Sequence, residues 1–335
     1  MIELSFLPDR ERACAIDARM RNELADSLGY LKIYLREQIP DPDIAGQLEK
    51  LDHVISTLRN NNRVRPAVFG HYYRLVFSIL NNENDLHNRV DNLVASLQVQ
   101  PELTIRDLSA TGLGGDSLVT LYQQCLDTDE NMRFGFLSPE PKISQQMREA
   151  VSRALQLMSR ILPELFEETH AIISEIVLAS ATKTPNSPSF DGASSYQLWG
   201  ALVLNADEEK SDMEMVETLA HEAAHSFLFG LTIAEPLVYD DEARFNSPLR
   251  QDPRPMDGVY HATFVSARMY YAMYNASKSS LLTDTQKSEC ERCLLASRKA
   301  FYDGFEVISN VAEELSDTGR VIMQNAWEYM EQVAC

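Results

Sequence analysis

Residues 217–230 of this 335-residue chain read Glu-Thr-Leu-Ala-His-Glu-Ala-Ala-His-Ser-Phe-Leu-Phe-Gly and contain a His-Glu-x-x-His motif. Residues four apart on an α-helix lie on one face, so His221 and His225 can offer imidazole nitrogens to one divalent metal ion. Glu222 is rotated about 100° round the helix, where it can reach a metal-bound water without becoming a ligand. The motif therefore predicts a metal centre built on a helix.

The residues that flank the motif predict the helix that this geometry needs. Ser211 and Glu214 have the spacing of a capping box, in which both side chains accept hydrogen bonds from free backbone amides of the first turn. Gly230 is a typical residue at a helix end. Apolar residues recur at helical spacing between these positions, and they predict a face turned to the core: Val216, Leu219, Ala220, Ala223 and Phe227. The alternative interpretation is two packed or solvated histidines without a metal.

The composition predicts a protein with an ample core, since 44% of its residues are hydrophobic. No apolar run approaches the roughly 18 residues that a membrane span requires, and the first residues lack the pattern of a signal peptide. We therefore expect a cytoplasmic protein without membrane contact. The formal net charge of −20 argues against a nucleic-acid partner, because phosphate binding needs a basic surface.

The five cysteines are widely scattered, a pattern typical of reduced thiols in the cytosol. Cys290 and Cys293 form a single Cys-x-x-Cys pair within a predicted helix. No second pair or suitable histidine lies near them in the sequence, so a zinc or redox role is only weakly indicated.

The periodicity of the chain predicts a predominantly helical α+β fold, with a zincin-like metal-binding helix, a small sheet and a helical N-terminal region. Helices are predicted at 9–38, 43–60, 66–80, 86–97, 117–126, 144–162, 257–277, 283–305 and 307–333. Strands are predicted at 103–108, 134–137, 171–181 and 196–205. The change in pattern predicts two regions, residues 1–130 and residues 131–335.

A third metal ligand is expected, because two histidines hold a metal weakly. The metzincin peptidases would need glycine and histidine where this chain has Leu228 and Leu231, so that class is excluded. Glu242 is the best carboxylate candidate and Glu235 the next. His261 is the remaining candidate, since it follows a proline-rich loop that could return over the metal. The residues alone leave the choice open.

Two arginines lie in the loop before His261. Arg250 and Arg254 are either solvated loop cations or partners of Asp252 and Asp257. If a dicarboxylate co-substrate binds the metal, one of them is needed to hold its far carboxylate, because a guanidinium group makes a bidentate pair.

The segment from Glu217 to His225, followed by Asn246-Ser-Pro-Leu-Arg-Gln-Asp-Pro-Arg-Pro-Met-Asp-Gly-Val-Tyr-His261, resembles a known family. It is similar to the HEXXH-motif peptide-modification proteins associated with ribosomally synthesised, post-translationally modified peptides. In that family the motif helix precedes a Ser-Pro-x-Arg-x-Asp-Pro-Arg-Pro-x-x-Gly-x-x-His pattern. The resemblance covers roughly residues 190–280.

This resemblance implies an Fe(II)/2-oxoglutarate-dependent dioxygenase that β-hydroxylates a residue of a precursor peptide. It implies three iron ligands, which are His221, His225 and His261. It also implies neighbours of 2-oxoglutarate in the loop, which are Ser247, Arg250 and Arg254. The iron oxygenases usually have two histidines and one carboxylate, so a three-histidine set departs from that scheme and leaves room for Glu242 or Asp257.

Glu222 has a different role in each interpretation. In a hydroxylase it would handle protons beside the metal, whereas in a zinc metallopeptidase it would be the general base that activates water. A third interpretation is a non-catalytic peptide-binding protein with a structural metal. In the leading interpretation, residues 1–130 help bind the peptide and residues 131–335 carry catalysis. The sequence does not indicate the oligomeric state.

Overall fold

The helical periodicity of the sequence is realised along most of the chain. A computed structural model describes residues 3–38, 44–60, 63–128, 133–182, 190–239, 243–249 and 252–333. They form a predominantly helical α+β fold with a small mixed sheet, as predicted. Within these ranges, no helix is long and apolar enough to cross a membrane.

The elements have the following bounds. The α-helices are α1 (Arg10–Gln38), α2 (Ile44–Arg59), α3 (Pro66–Leu80), α4 (Leu86–Ala95), α5 (Ala110–Leu113), α6 (Asp116–Leu126), α7 (Pro141–Ile161), α8 (Pro163–Ile172), α9 (Asp212–Leu231), α10 (Met256–Ser277), α11 (Asp284–Ser309) and α12 (Asp317–Val333). The strands are β1 (Thr104–Asp107), β2 (Glu175–Ala179), β3 (Gly192–Ser194), β4 (Ala201–Asn205), β5 (Arg244–Phe245) and β6 (Arg254–Pro255). Short 3-10 helices lie at Tyr196–Leu198 and Ala312–Glu314.

Strands β1 to β4 form the mixed sheet in the order β1-β2-β4-β3. β1, β2 and β4 are parallel, and β3 runs antiparallel to β4. Every residue of β2 and β4 is buried, which is typical of central parallel strands that are covered on both faces. A separate antiparallel pair joins β5 to β6 and sets Phe245 opposite Arg254.

Three of the predicted strands differ from those observed. The apolar run 171–181 contributes only Glu175–Ala179 to the sheet, because its first residues complete α8. The run 196–205 becomes extended only from Ala201, since Gly200 has a φ of 87° that interrupts a strand. The prediction of a strand at 134–137 is wrong, since that segment makes only an isolated bridge between Leu137 and Ser180.

The chain divides into two compact units. Unit 1 comprises Met1–Ile16, Arg148–Ile172 and Glu209–Cys335, and unit 2 comprises Asp17–Met147 and Ile173–Glu208. Each unit is thus assembled from segments that are distant in sequence. The predicted division of roles between residues 1–130 and 131–335 concerns function and stays a prediction.

Unit 1 has a charged cluster of Arg12, Glu168 and Arg268 within its helical core. Glu168 accepts hydrogen bonds from Arg268 Nη1 at 2.8 Å and from Arg12 Nη2 at 3.3 Å, and all three side chains are buried. The ring of Phe227 lies 4.8 Å from the Arg268 guanidinium carbon and 5.1 Å from that of Arg12. These cation–π contacts connect the cluster to α9, the helix that carries the His-Glu-x-x-His motif.

Helices α10 and α11 approach each other closely at Gly304. A Cβ atom at this position would overlap the hydroxyl of Thr263 on α10 and lie 3.0 Å from Cγ of Pro248. A glycine inside a helix is about 1 kcal/mol less favourable than alanine. The close approach of Thr263 and Pro248 is the structural reason for a glycine here.

Candidate metal centre

The motif lies within α9, whose start is capped as the sequence predicts. Glu214 N donates to Ser211 Oγ at 3.2 Å, and Ser211 N donates to Glu214 Oε2 at 3.0 Å. The second bond lowers the pKa of Glu214, because it stabilises the charged carboxylate. The helix ends at Leu231, one residue beyond Gly230.

His221 and His225 lie on one face of α9, as their spacing predicts. Their Nε2 atoms are 3.1 Å apart. Two nitrogens bound to one metal at about 2.1 Å, with about 90–110° between the bonds, lie about 3.0–3.4 Å apart. The pair therefore has the separation that a shared metal ion requires. In the absence of a metal, one proton between the two nitrogens gives a hydrogen bond of the same length.

His261 reaches this pair from α10, although it is 36 residues from His225 in the sequence. Its Nδ1 lies 3.0 Å from Nδ1 of His225. Burial lowers the pKa of His261 and so favours the neutral imidazole that a metal ion requires, while the carboxylate of Asp257 raises it. The third histidine of the predicted ligand set therefore contacts one of the other two, His225.

The three imidazoles meet in pairs and do not point at one centre. His225 faces His221 with Nε2 and His261 with Nδ1, so it is the middle member of a chain. Correspondingly, the described part of the chain contains no group of three His, Cys, Asp or Glu side chains already arranged to hold a metal ion. A three-nitrogen site requires His225 or His261 to turn about its side-chain torsions.

Two further residues lie beside the histidines, and one of them, Met269, is not predicted from the sequence. Met269 Sδ lies 3.3 Å from Nδ1 of His221, and the Phe229 ring centroid lies 5.3 Å from that of His261. Met269 follows His261 by eight residues on α10, a spacing that returns to the same helix face. The helical spacing of Met269 from His261 could have indicated that both lie on one face of α10. It could not indicate a contact with His221, because that contact depends on how α9 and α10 pack together.

Glu222 is buried, and its Oε1 atom lies 3.9 Å from Nε2 of His221. The carboxylate is thus close to the side of His221 that faces His225. This position suits a group that accepts a proton from a water molecule bound between the histidines.

The carboxylates considered as the third ligand lie in different surroundings. Glu235 is engaged elsewhere, since its carboxylate accepts hydrogen bonds from Thr318 and from Tyr239. Asp257 is closer, with Oδ2 lying 3.9 Å from Nε2 of His261. Glu242 lies outside the described residues.

The loop residues predicted beside a co-substrate have their own local contacts. Arg254 in β6 pairs through Nε with Asp252 Oδ2 at 2.9 Å, which is one of the two roles expected for it. Ser247 Oγ accepts a long hydrogen bond of 3.4 Å from the Leu249 amide. Arg250 lies outside the described residues. The roles of Ser247, Arg250 and Arg254 towards 2-oxoglutarate stay predictions.

Comparison with known protein families finds no match, and comparison with curated proteins also finds none. The function therefore has to be inferred from the motif, from the pattern that follows it and from the geometry of the three histidines.

Proposed function

We propose that the chain is an Fe(II)/2-oxoglutarate-dependent dioxygenase that β-hydroxylates a residue of a ribosomally synthesised precursor peptide. The observation that carries this proposal is that His225 contacts both His221 and His261, with nitrogen separations of 3.1 and 3.0 Å. Imidazole is a ligand type that suits iron as well as zinc. The resemblance of the segment from Asn246 to His261 to the peptide-modification family favours iron.

The local chain path supports a co-substrate site near the third histidine. Strand β6, which contains Arg254, leads directly into α10, and His261 lies in the second turn of that helix. An arginine so close in sequence to a ligand can hold the far carboxylate of a dicarboxylate. The side chain of Asp252, which pairs with Arg254, is exposed. An incoming anion could therefore take its place as the partner of Arg254.

When bound, Fe(II) with 2-oxoglutarate would supply oxidation of a peptide C–H bond by dioxygen, with succinate and carbon dioxide as co-products. The residues that would hold the metal are His221, His225 and His261. Phe229 packs against His261 on one side of the site. Glu222 would accept and return protons close to His221.

The proposal also includes the partner of the protein and its location in the cell. The partner is a precursor peptide, with residues 1–130 helping to bind it. The location is the cytoplasm. The acidic chain, with 50 acidic and 30 basic side chains, favours a peptide over nucleic acid.

The test uses the full chain loaded anaerobically with Fe(II), then mixed with peptides encoded near its gene, 2-oxoglutarate and air. We expect one peptide to gain a single oxygen atom, in step with the release of succinate. Omitting 2-oxoglutarate should stop the reaction. An iron-loaded protein that releases no succinate and leaves every peptide unchanged would overturn the proposal, and a peptide that then stays bound would indicate the non-catalytic alternative.

A zinc metallopeptidase is the second candidate, and the position of Glu222 favours it. A buried carboxylate 3.9 Å from Nε2 of a ligand histidine is where a general base would activate a metal-bound water. Peptide fragments formed with Zn²⁺ and without 2-oxoglutarate would identify this activity.

A further inference from the structure

Unit 2 contains a cavity of about 310 Å³ whose lining is positive. Its described lining includes Arg65 and Arg106 but no Asp or Glu. This composition is opposite to that of the whole chain, whose formal net charge is −20. A cavity lined by cations in a strongly acidic protein indicates selection for an anionic ligand.

Arg65 is a buried guanidinium whose donors are only partly used. Its Nε donates to Glu175 Oε1 at 2.6 Å, and its Nη1 donates to the carbonyl oxygen of Leu113 at 3.1 Å. The residue is 4% exposed, and among the described residues its Nη2 has no hydrogen-bond partner. A buried charged donor without an acceptor is unfavourable, and a bound oxyanion would satisfy it.

The charges around Arg65 do not balance. Glu175 is fully buried and is the carboxylate that faces both Arg65 and Arg106, whose Nε lies 3.3 Å from Glu175 Oε1. The other carboxylate oxygen accepts a hydrogen bond of 2.5 Å from the Tyr122 hydroxyl. Two guanidinium groups therefore share the carboxylate of Glu175.

Backbone geometry adds to this positive field. Gly114 and Gly115 have φ values of 100° and 152°, and they lead into α6. Gly114, Ser117 and Leu118 line the cavity, so the first turn of α6 borders it. No side chain caps this turn. Backbone amides at a helix start, together with the helix dipole, attract oxyanions, although the carboxylate of Asp116 lies in the same turn and opposes this attraction.

We propose that this cavity binds a small ligand through an oxyanion group, with the guanidinium groups of Arg65 and Arg106 and the first turn of α6 as its binding groups. The oxyanion is a phosphate or a carboxylate, since both accept paired hydrogen bonds from guanidinium groups. The volume of about 310 Å³ accommodates a small organic molecule in addition to the anion. The site is independent of the histidine centre and of the proposed hydroxylation.

The test is calorimetric titration of the full chain with inorganic phosphate and, separately, with succinate at constant ionic strength. We expect saturable binding of at least one of them at a single site, and the preferred anion identifies the source of the oxyanion. Arg106→Gln should weaken this binding about tenfold or more, since it removes charged hydrogen bonds. Arg59→Gln is the matched control, because Arg59 is an exposed arginine of unit 2 that pairs with Asp26.

A second pair of variants avoids the buried cluster. Thr111 is exposed at the cavity lining, and Thr111→Glu and Thr111→Gln differ only in charge. The glutamate variant should lose the anion by repulsion, whereas the glutamine variant should keep it within about twofold. The proposal is overturned if the wild-type chain binds neither anion, or if binding survives both Thr111→Glu and a folded Arg106→Gln.

Discussion

His225 Nε2 lies 3.1 Å from Nε2 of His221, the separation of two nitrogens bound to one metal ion. The same imidazole is 3.0 Å from His261 through Nδ1. His225 is thus the residue common to both contacts. Its loss should remove both contacts, whereas the loss of either neighbour leaves one contact intact.

The first prediction concerns metal binding. His225→Ala should reduce the metal content of the full chain to near zero, and His261→Ala should lower the affinity while leaving the His221–His225 pair. Metal content is measured by elemental analysis after loading with Fe(II) or Zn²⁺. His53→Ala, at an exposed position of α2, is the control and should bind metal like the wild type. Full metal content in His225→Ala would exclude the centre.

The second prediction separates the two candidate reactions. Glu222→Gln should keep the metal in either case, because the histidines are unchanged. A peptidase should lose about a hundredfold or more of its hydrolytic rate, because it loses its general base. A hydroxylase, in which Glu222 only assists proton transfer beside the metal, should lose less than about tenfold of its succinate release. Glu217→Gln is a matched control one turn earlier on α9, where the carboxylate contacts Ser297. It should leave both rates unchanged.

The third prediction concerns the buried cluster of unit 1. Glu168→Gln would leave Arg12 and Arg268 without their carboxylate, which should lower the free energy of unfolding by about 3–5 kcal/mol. Urea unfolding followed by circular dichroism measures the change. Asp317→Asn removes the exposed partner of Arg320 and should have almost no effect. Equal effects of the two substitutions would contradict a special role for the buried cluster.

The fourth prediction is a dependence of stability on pH. Burial, with a smaller effect of Arg89, lowers the pKa of His71 to about 4, so the folded protein keeps it neutral where the unfolded chain takes up a proton near pH 6.5. The stability that depends on neutral His71 is therefore fully present above about pH 6.5, and it is lost as the pH falls towards 4. Between pH 8 and pH 5 the loss is about 2 kcal/mol.

His71→Gln should remove this part of the pH dependence in urea unfolding measured at both pH values. His53→Gln replaces an exposed histidine and should keep the wild-type dependence. An unaltered slope in His71→Gln would show that His71 is not held neutral by the fold.

The fifth prediction concerns the cysteines. Cys14 is exposed, whereas Cys290 and Cys293 are buried. Burial raises the pKa of Cys290 to about 11 and that of Cys293 to about 12, so little thiolate forms. Native labelling with iodoacetamide at pH 8 should modify both at least about tenfold more slowly than Cys14. Mass spectrometry of the peptides measures this, and equal labelling in urea is the control. Fast labelling of Cys293 in the native protein would contradict this prediction and would favour a redox role for the Cys-x-x-Cys pair.

Helix bounds are predicted more closely than strand bounds, although the helix predicted from residue 307 begins only at Asp317, because α11 continues to Ser309. The bounds of α3 match the prediction at both ends, because Pro66 begins the helix and Asn81 follows its last apolar residue. The capping box of Ser211 and Glu214 was predictable for the same reason, since it depends only on residues that are close in sequence. The strands were predicted too long, since apolar runs do not show where a turn begins. Gly200, with its positive φ, was the only local signal in the run 196–205.

The candidate site was predictable as far as its motifs extend. His221 and His225 follow from local spacing, whereas only the family resemblance favours His261 over the carboxylate candidates. Contacts between distant segments could not be predicted, because they depend on how helices pack. Glu168, for example, is 156 residues from Arg12 and 100 from Arg268. The same is true of Arg65 and Glu175, which β2 brings together.

Gly304 extends the set of positions on which the histidine centre depends. Because Gly304 has no side chain, α11 can pack closely against both Thr263 of α10 and Pro248 of the preceding loop. Since Thr263 is two residues from His261, an added methyl group at Gly304 would move the helix that delivers the third imidazole. Helix α11, which carries none of the three histidines, thus fixes the position of the helix that carries His261.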